Sequence, residues 1–211
     1  MYIHINIVPL LSKQQFSTIT KNITAMKTTW KIDPTHSEVQ FKVKHLVIST
    51  ITGNFGKFEA TAEAQEDDFE SAKVRFTADV DSINTSNAQR DTHLKSAEFF
   101  DAANHVHVTF VSKEIKKITG STYKMTGDLT IRGVTKPVEL NVEFGGIAKD
   151  PWGMTRAGFE VTGKINRKDF GLNWNAVTEA GGLVVSDEVK IVCQVEFVKE
   201  AVPAPAETAN A

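Results

Sequence analysis

Between Tyr123 and Phe144 apolar and polar residues alternate with a single interruption. Tyr123, Met125, Leu129 and Ile131 fall on one side, and Lys124, Thr126, Asp128, Thr130 and Arg132 on the other. Beyond Arg132-Gly133 the apolar side passes to Val138, Leu140, Val142 and Phe144, opposite Glu139, Asn141 and Glu143. A period of two is the alternation of a pleated sheet, so this stretch predicts a long antiparallel hairpin with one dry face and one wet face. Each arm of about 10 residues, at roughly 3.3 Å per residue, reaches roughly 30 Å. A dry face of that length has to be covered by partners equally long.

The rest of the chain repeats the pattern. Trp30 to Pro34 leads into the domain, and Val39, Phe41, Val43 and His45 then alternate with Glu38, Gln40, Lys42 and Lys44 as a first half-buried strand. From Thr52 to Ala64 the apolar parity shifts around Gly53 and Gly56, which predicts one strand bent by a glycine bulge. Val74, Phe76, Ala78 and Val80 make the next strand. Ser86 and Gln89 stand as N-cap and N3 of a capping box, predicting a short helix that carries Arg90, His93 and Leu94 on one side and leads to Phe99 and Phe100. Val106, Val108 and Phe110 form a further strand with His105 and His107 opposite, and Ile115, Lys117 and Thr119 run on toward Gly120.

After the long hairpin, Gly145-Gly146 and Asp150-Pro151-Trp152-Gly153 are expected to be turns. Phe159, Val161 and Ile165 follow as a strand, and Asn166 to Leu172 reads as a polar bend held by Asn166, Arg167 and Asp169. Gly181-Gly182 turns the chain into a last strand with Val189, Ile191, Cys193, Val195 and Phe197 on one face. About eight strands with one apolar face each, and one short helix, predict an all-β fold: an elongated eight-stranded antiparallel β-barrel with a single short helical insertion. The interior of such a barrel either fills with side chains or holds one small ligand.

Composition narrows the function. The 211 residues leave room for one domain at 28–199, flanked by an N-terminal extension at 1–27, read as disordered or upstream-initiated, and a Pro/Ala-rich disordered tail at 200–211. Thirteen Phe against three Trp and two Tyr make the core rich in plain apolar surface. A net charge of −2 with scattered basic residues shows no nucleic-acid footprint. Cys193 stands alone, so the chain offers neither a disulfide nor a thiolate pair, and His105 with His107 lacks a third ligand at a metal-binding spacing. No run approaches the roughly 18 apolar residues of a membrane helix. A cytoplasmic location is expected, with the periplasm the alternative if the N-terminal extension is an export signal.

Several ordered motifs carry a resemblance. Trp30-x-Ile32-Asp33-Pro34-x-His36-Ser37, Gly53-x-Phe55, Ser82-Ile83-x-Thr85, Arg90-Asp91-x-His93-Leu94 and Phe99-Phe100-Asp101 resemble the YceI-like polyisoprenoid-binding proteins. So do Gly127 to Thr135, Asn166-Arg167-x-Asp169-Phe170-Gly171 and Val185 to Val189. The resemblance spans residues 28–199. It implies a lipocalin-like barrel whose tunnel holds a long-chain amphiphile, such as a polyprenyl pyrophosphate, an isoprenoid quinone or a fatty amide, and it implies a homodimer.

A polyprenyl tail has no hydrogen-bonding groups, so its lining has to be apolar. The inward sets above supply Phe41, Val43, Phe76, Phe110, Leu129, Ile131, Leu140, Val142, Phe159, Val161, Val189 and Ile191 as candidates. For a head group the candidates are Arg90, Asp91 and His93 on the helix and His45 on its strand: a guanidinium grips phosphate bidentately, and an imidazole donates to phosphate or quinone oxygen. Arg90 and Asp91 also suit a second role, as ion-pairing or capping groups that hold the helix over the barrel end. An enzyme using Asp91 and His93 as acid and base is the main alternative, although no nucleophile motif or phosphate-cradling glycine loop accompanies them. A structural module with a solid core is the other. No cofactor is expected beyond the bound lipid.

Overall fold

Alternating side chains become paired strands throughout the computed structural model, which describes residues 27–176 and 184–200. The Gly181-Gly182 turn, the N-terminal extension before Lys27 and the tail beyond Glu200 lie outside the described residues. In chain order the elements are β1 (Lys27–Ile32), β2 (Glu38–His45), β3 (Ser49–Phe55), β4 (Phe58–Gln65), β5 (Asp68–Asp79), β6 (Ile83–Asn84), the helix α1 (Ala88–Lys95), β7 (His107–Thr119), β8 (Thr122–Ile131), β9 (Val134–Lys149), β10 (Thr155–Asn166) and β11 (Val185–Lys199). The expected hairpin is β8 and β9, in register from Ile131 opposite Val134 to Thr122 opposite Glu143. Its turn is Arg132-Gly133, both at positive φ, the form whose twist matches a tight antiparallel hairpin.

Eight strands close into a barrel in the order β1, β4, β5, β7, β8, β9, β10, β11, with β11 returning to β1. All neighbours are antiparallel. Closure depends on β11 serving two partners along the edge away from β10: Phe197 to Lys199 pair with β1, while the stretch from Val185 to Gln194 pairs with β2. Between β1 and β2 the chain makes one 3-10 turn, Pro34–His36, capped by Asp33. β2 carries β3, which carries β6, so this flap extends the wall at the end where α1 sits.

The structure corrects several expectations. Trp30 lies inside a strand of its own, and β1 is the piece that closes the ring. The segment 52–64 is two strands, because the chain breaks at Gly56-Lys57: β3 pairs with β2, and β4 pairs with β1 and β5. That break explains the parity shift, since Phe55 and Phe58 both end up buried. The Gly145-Gly146 pair is a bulge within β9, where the register opposite β10 slips between Gly158 and Phe159. Asn87 caps α1, its side chain accepting from the Arg90 N–H, while Ser86 sits at positive φ one residue earlier. Val106 precedes β7 and is half exposed; its carbonyl accepts from the Val80 N–H.

The end of the barrel away from α1 is packed with aromatic rings. Trp30, fully buried, lies 5.2 Å from Phe69 between centroids, and Phe69 meets Phe159 at 4.9 Å and Phe144 at 5.5 Å. Phe197 adds an edge contact to Phe159 at 6.0 Å. Just outside, Arg156 ties three chain segments together by donating to Asp33 (2.8 Å), Asp150 (2.8 Å) and Glu196. The Asp33 carboxyl is held well below the usual carboxylate range, by the Thr35 hydroxyl first, then by Arg156 and His36.

Two tests follow from this packing. A Cβ at Gly127 would stand 2.5 Å from the Val111 carbonyl oxygen and overlap the Phe110 ring, so Gly127→Ala is expected to cost about 1–3 kcal/mol in a denaturant titration. A carboxyl depressed by folding stabilises the fold above its unfolded pKa of about 3.9 and loses that contribution as pH falls toward its folded value. Arg156→Met is therefore expected to lower Tm by a few degrees at neutral pH. The gap from the parent protein should narrow as the pH is taken below about 4.

Candidate ligand-binding site

The barrel is hollow. A cavity of about 630 Å³ runs along its interior, walled by all twelve residues expected as a tail lining: Phe41, Val43, Phe76, Phe110, Leu129, Ile131, Leu140, Val142, Phe159, Val161, Val189 and Ile191. On β11 the wall runs from Val185 to Phe197, about 40 Å of strand, or about 30 Å of barrel axis at the usual tilt of 35–45°. An elongated cavity of this shape fits a linear molecule better than a disc-shaped one.

Glycines keep it open. Phe41 faces Gly53 across the β2–β3 pair, and Leu140 faces Gly163 across β9–β10. In each case the larger side chain lies in the space where the glycine's Cβ would be: a Cβ at Gly163 would stand 2.5 Å from Leu140 Cδ2, and one at Gly53 would overlap the Phe41 ring. Phe110 does the same over Gly127, a diagonal neighbour on β8. Three bulky wall residues are thereby laid along the sheet instead of across the cavity. The small residues Ala60, Ala62 and Ala72 widen the part nearest the aromatic end.

Polarity is uneven. The charged and imidazole side chains on the wall are His45, Arg90, His93 and Arg167, all at the end where α1 sits. Thr85, at the end of β6, organises this rim. Arg90 donates to it through Nε (to Oγ1) and Nη2 (to the carbonyl), each at 2.7 Å. The Asp91 carboxylate accepts from the Thr85 N–H at 2.9 Å and from its hydroxyl at 2.5 Å. Of the five guanidinium N–H groups two are thus engaged, and Nη1 has no partner among the described residues. Asp91 differs from the other expected head-group residues: it is bound to Thr85 and is absent from the cavity wall. The anchoring role foreseen for Arg90 and Asp91 is the geometry found.

His93 bonds to Glu98 at 2.6 Å and presents its ring edge-on to Phe99 and Trp174, at 5.1 and 4.8 Å. Asp91 and His93 are therefore each engaged elsewhere and share no hydrogen bond among the described residues, which leaves an acid/base pair without its geometry. Arg167 is buried, and its guanidinium donates to the carbonyls of Leu172, Trp174 and Ser186 and to the Asp187 carboxylate. Burial lowers its pKa from the ordinary arginine value, with Asp187 opposing. It holds the polar bend beside the rim, as the sequence led us to expect. Trp174 and Thr85 were not foreseen: one lies in an irregular segment and the other just past a two-residue strand, where no periodicity marks a face. The Cys193 thiol also faces the cavity, and burial pushes its pKa up to about 11.

Elsewhere, Asp33, His36 and Glu196 approach one another closely enough to share a cation. Arg156 already donates to both carboxylates, so the positive charge there is supplied by the protein.

The chain matches the YceI-like domain over residues 30–197. It belongs to the YceI-like family. Its YceI-like relatives include a UPF0312 protein of Staphylococcus aureus, 39% identical over 171 residues, covering 81% of this chain and 97% of that one. Among solved structures it is similar to the YceI protein of Campylobacter jejuni, with 36% identity, a TM-score of 0.65 and coverage of 75% of this chain and 90% of that chain. A polyisoprenoid-binding domain of Saccharophagus degradans shares the fold at 16% identity, with a TM-score of 0.55 over 81% of this chain and 98% of its own.

The glycine seats give a direct test of this YceI-like cavity. Gly163→Val is expected to displace Leu140 into the bore and to reduce binding of an apolar fluorescent dye to delipidated protein several-fold, while circular dichroism stays that of a β-barrel.

Proposed function

We propose that the protein is a non-catalytic carrier of one long-chain isoprenoid amphiphile, such as a polyprenyl pyrophosphate or an isoprenoid quinone. The tail occupies the cavity and the head group stays at the rim beside Arg90, His93 and His45. The observation that carries this reading is an elongated apolar cavity of about 630 Å³ whose charged groups are confined to one end. Apolar burial at about 25 cal/mol per Å² supplies the affinity that a tail without hydrogen-bonding groups needs. The free N–H groups of Arg90 suit an anionic oxygen, and His93 can donate to phosphate or to a quinone carbonyl. Membership of the YceI-like family and the likeness to a polyisoprenoid-binding domain support the same ligand class. A homodimer belongs to the proposal, and light scattering reads it out.

Organic extraction of purified protein followed by mass spectrometry tests the central statement. One apolar chain per binding site is expected, and protein from several expression hosts that yields no stoichiometric apolar molecule would rule the carrier out. Arg90→Met removes a charge-assisted contact of about 1.5–3 kcal/mol, so affinity for a polyprenyl pyrophosphate should fall about 10- to 100-fold. Affinity for the matching polyprenol, which lacks the anion, should change far less.

A further inference from the structure

The β2–β3 hairpin ends in three consecutive apolar residues held out into solvent: Leu46 is 37% exposed, Val47 81% and Ile48 84%. Burial does not explain them, and neither does turn chemistry. Leu46 and Val47 have φ of 50° and 65°, a region that a turn usually fills with glycine or asparagine and that is strained for a β-branched side chain. An apolar, strained tip persists where some other gain offsets it, which makes the outlier a pointer to function.

Its position supplies the context. His45, immediately before the tip, and Ile51, just after it, lie on the cavity wall, and the Leu46 N–H donates to the carbonyl of Val184, another wall residue. The tip is thus continuous with the rim at the end where the wall carries its charged groups. Lys42 and Lys44 face outward on β2, and Lys190 of β11 stands directly opposite Lys42. Asp187 is paired with Arg167 and Lys168, and Glu188 with Lys164, while Lys42, Lys44 and Lys190 have no salt-bridge partner among the described residues. Three lysines therefore form a positive collar below an apolar tip. That combination fits a surface with an apolar interior beneath anionic head groups. Another exposed apolar residue, Trp152 at 81%, is in the β9–β10 turn beside the aromatic end, away from the rim.

We infer that Leu46, Val47 and Ile48 insert into an anionic lipid bilayer while Lys42, Lys44 and Lys190 contact its phosphates, setting the cavity rim against the membrane from which the ligand is drawn. This rests on the carrier reading for its purpose, but the docking surface is tested independently of the ligand.

Full-length protein is sedimented with sucrose-loaded vesicles of phosphatidylglycerol and phosphatidylethanolamine, and with vesicles of phosphatidylcholine alone. Binding to the anionic vesicles that weakens with added salt is expected. Val47→Asp with Ile48→Ser should reduce it about tenfold or more. Aspartate tolerates positive φ better than valine, so the double variant should fold with an unchanged or raised Tm. It should also retain the parent's co-purified lipid, since neither residue is on the cavity wall. Trp152→Ala is expected to bind vesicles like the parent. The inference is overturned if the parent does not bind anionic vesicles, if the double variant binds them as well as the parent, or if only vesicles carrying membrane proteins are bound, which would make the partner a protein. Loss of vesicle binding with lipid retained separates failure of docking from failure of the carrier reading.

Discussion

A twisted sheet with one dry face has to hide that face, and here it does so by closing on itself through the pairing of β1 with the last residues of β11. Without that short contact the ring would be a curved sheet with two open edges, its apolar side exposed to water and its edge strands free to pair with other chains. Closure also commits the interior. Once eight strands meet, the residues facing inward are fixed by register, and a one-residue slip of β8 would turn Met125, Leu129 and Ile131 outward together. The long β8–β9 hairpin, with its two-residue turn at Arg132-Gly133, sets that register at the centre of the wall.

Whether the enclosed space fills is decided by smaller features. The aromatic contacts among Trp30, Phe69, Phe144, Phe159 and Phe197 pack one end tightly. Along the bore, Phe41, Phe110 and Leu140 lie back over glycines, so large residues line the space without occupying it. At the far end Thr85 gathers Arg90 and Asp91 and fixes α1 against the rim, and buried Arg167 holds the neighbouring bend through backbone carbonyls. Two arginines with the same formal charge thus do different work: one keeps donors available, and the other is consumed by the fold.

The sequence made the wall legible because strand periodicity survives folding: each of the twelve lining candidates is on the cavity surface. It was less informative wherever the chain changes partner. The parity shift near Gly56 looked like a bulge because alternation reports faces and not neighbours, and only pairing shows that β3 and β4 join different strands. The Gly145-Gly146 pair looked like a turn for a related reason, since a bulge and a turn use the same backbone freedom. β1 was overlooked because it is short and interrupted by charge, although it closes the barrel. At the rim, Arg90 and His93 were visible from helical spacing, while Asp91, one residue along, turns to Thr85, and Trp174 has no periodic context at all.

The plugged end has a consequence of its own. A channel open at both ends lets a chain slide through and accepts any length, but a bore stopped by Trp30 and its neighbouring rings has a bottom. A chain too short leaves empty apolar space behind it, and one too long holds its polar terminus beyond the reach of Arg90 and His93. In the proposed carrier the stacked rings would therefore be the zero mark of a ruler, converting the number of carbons in a guest into the height at which its polar group sits.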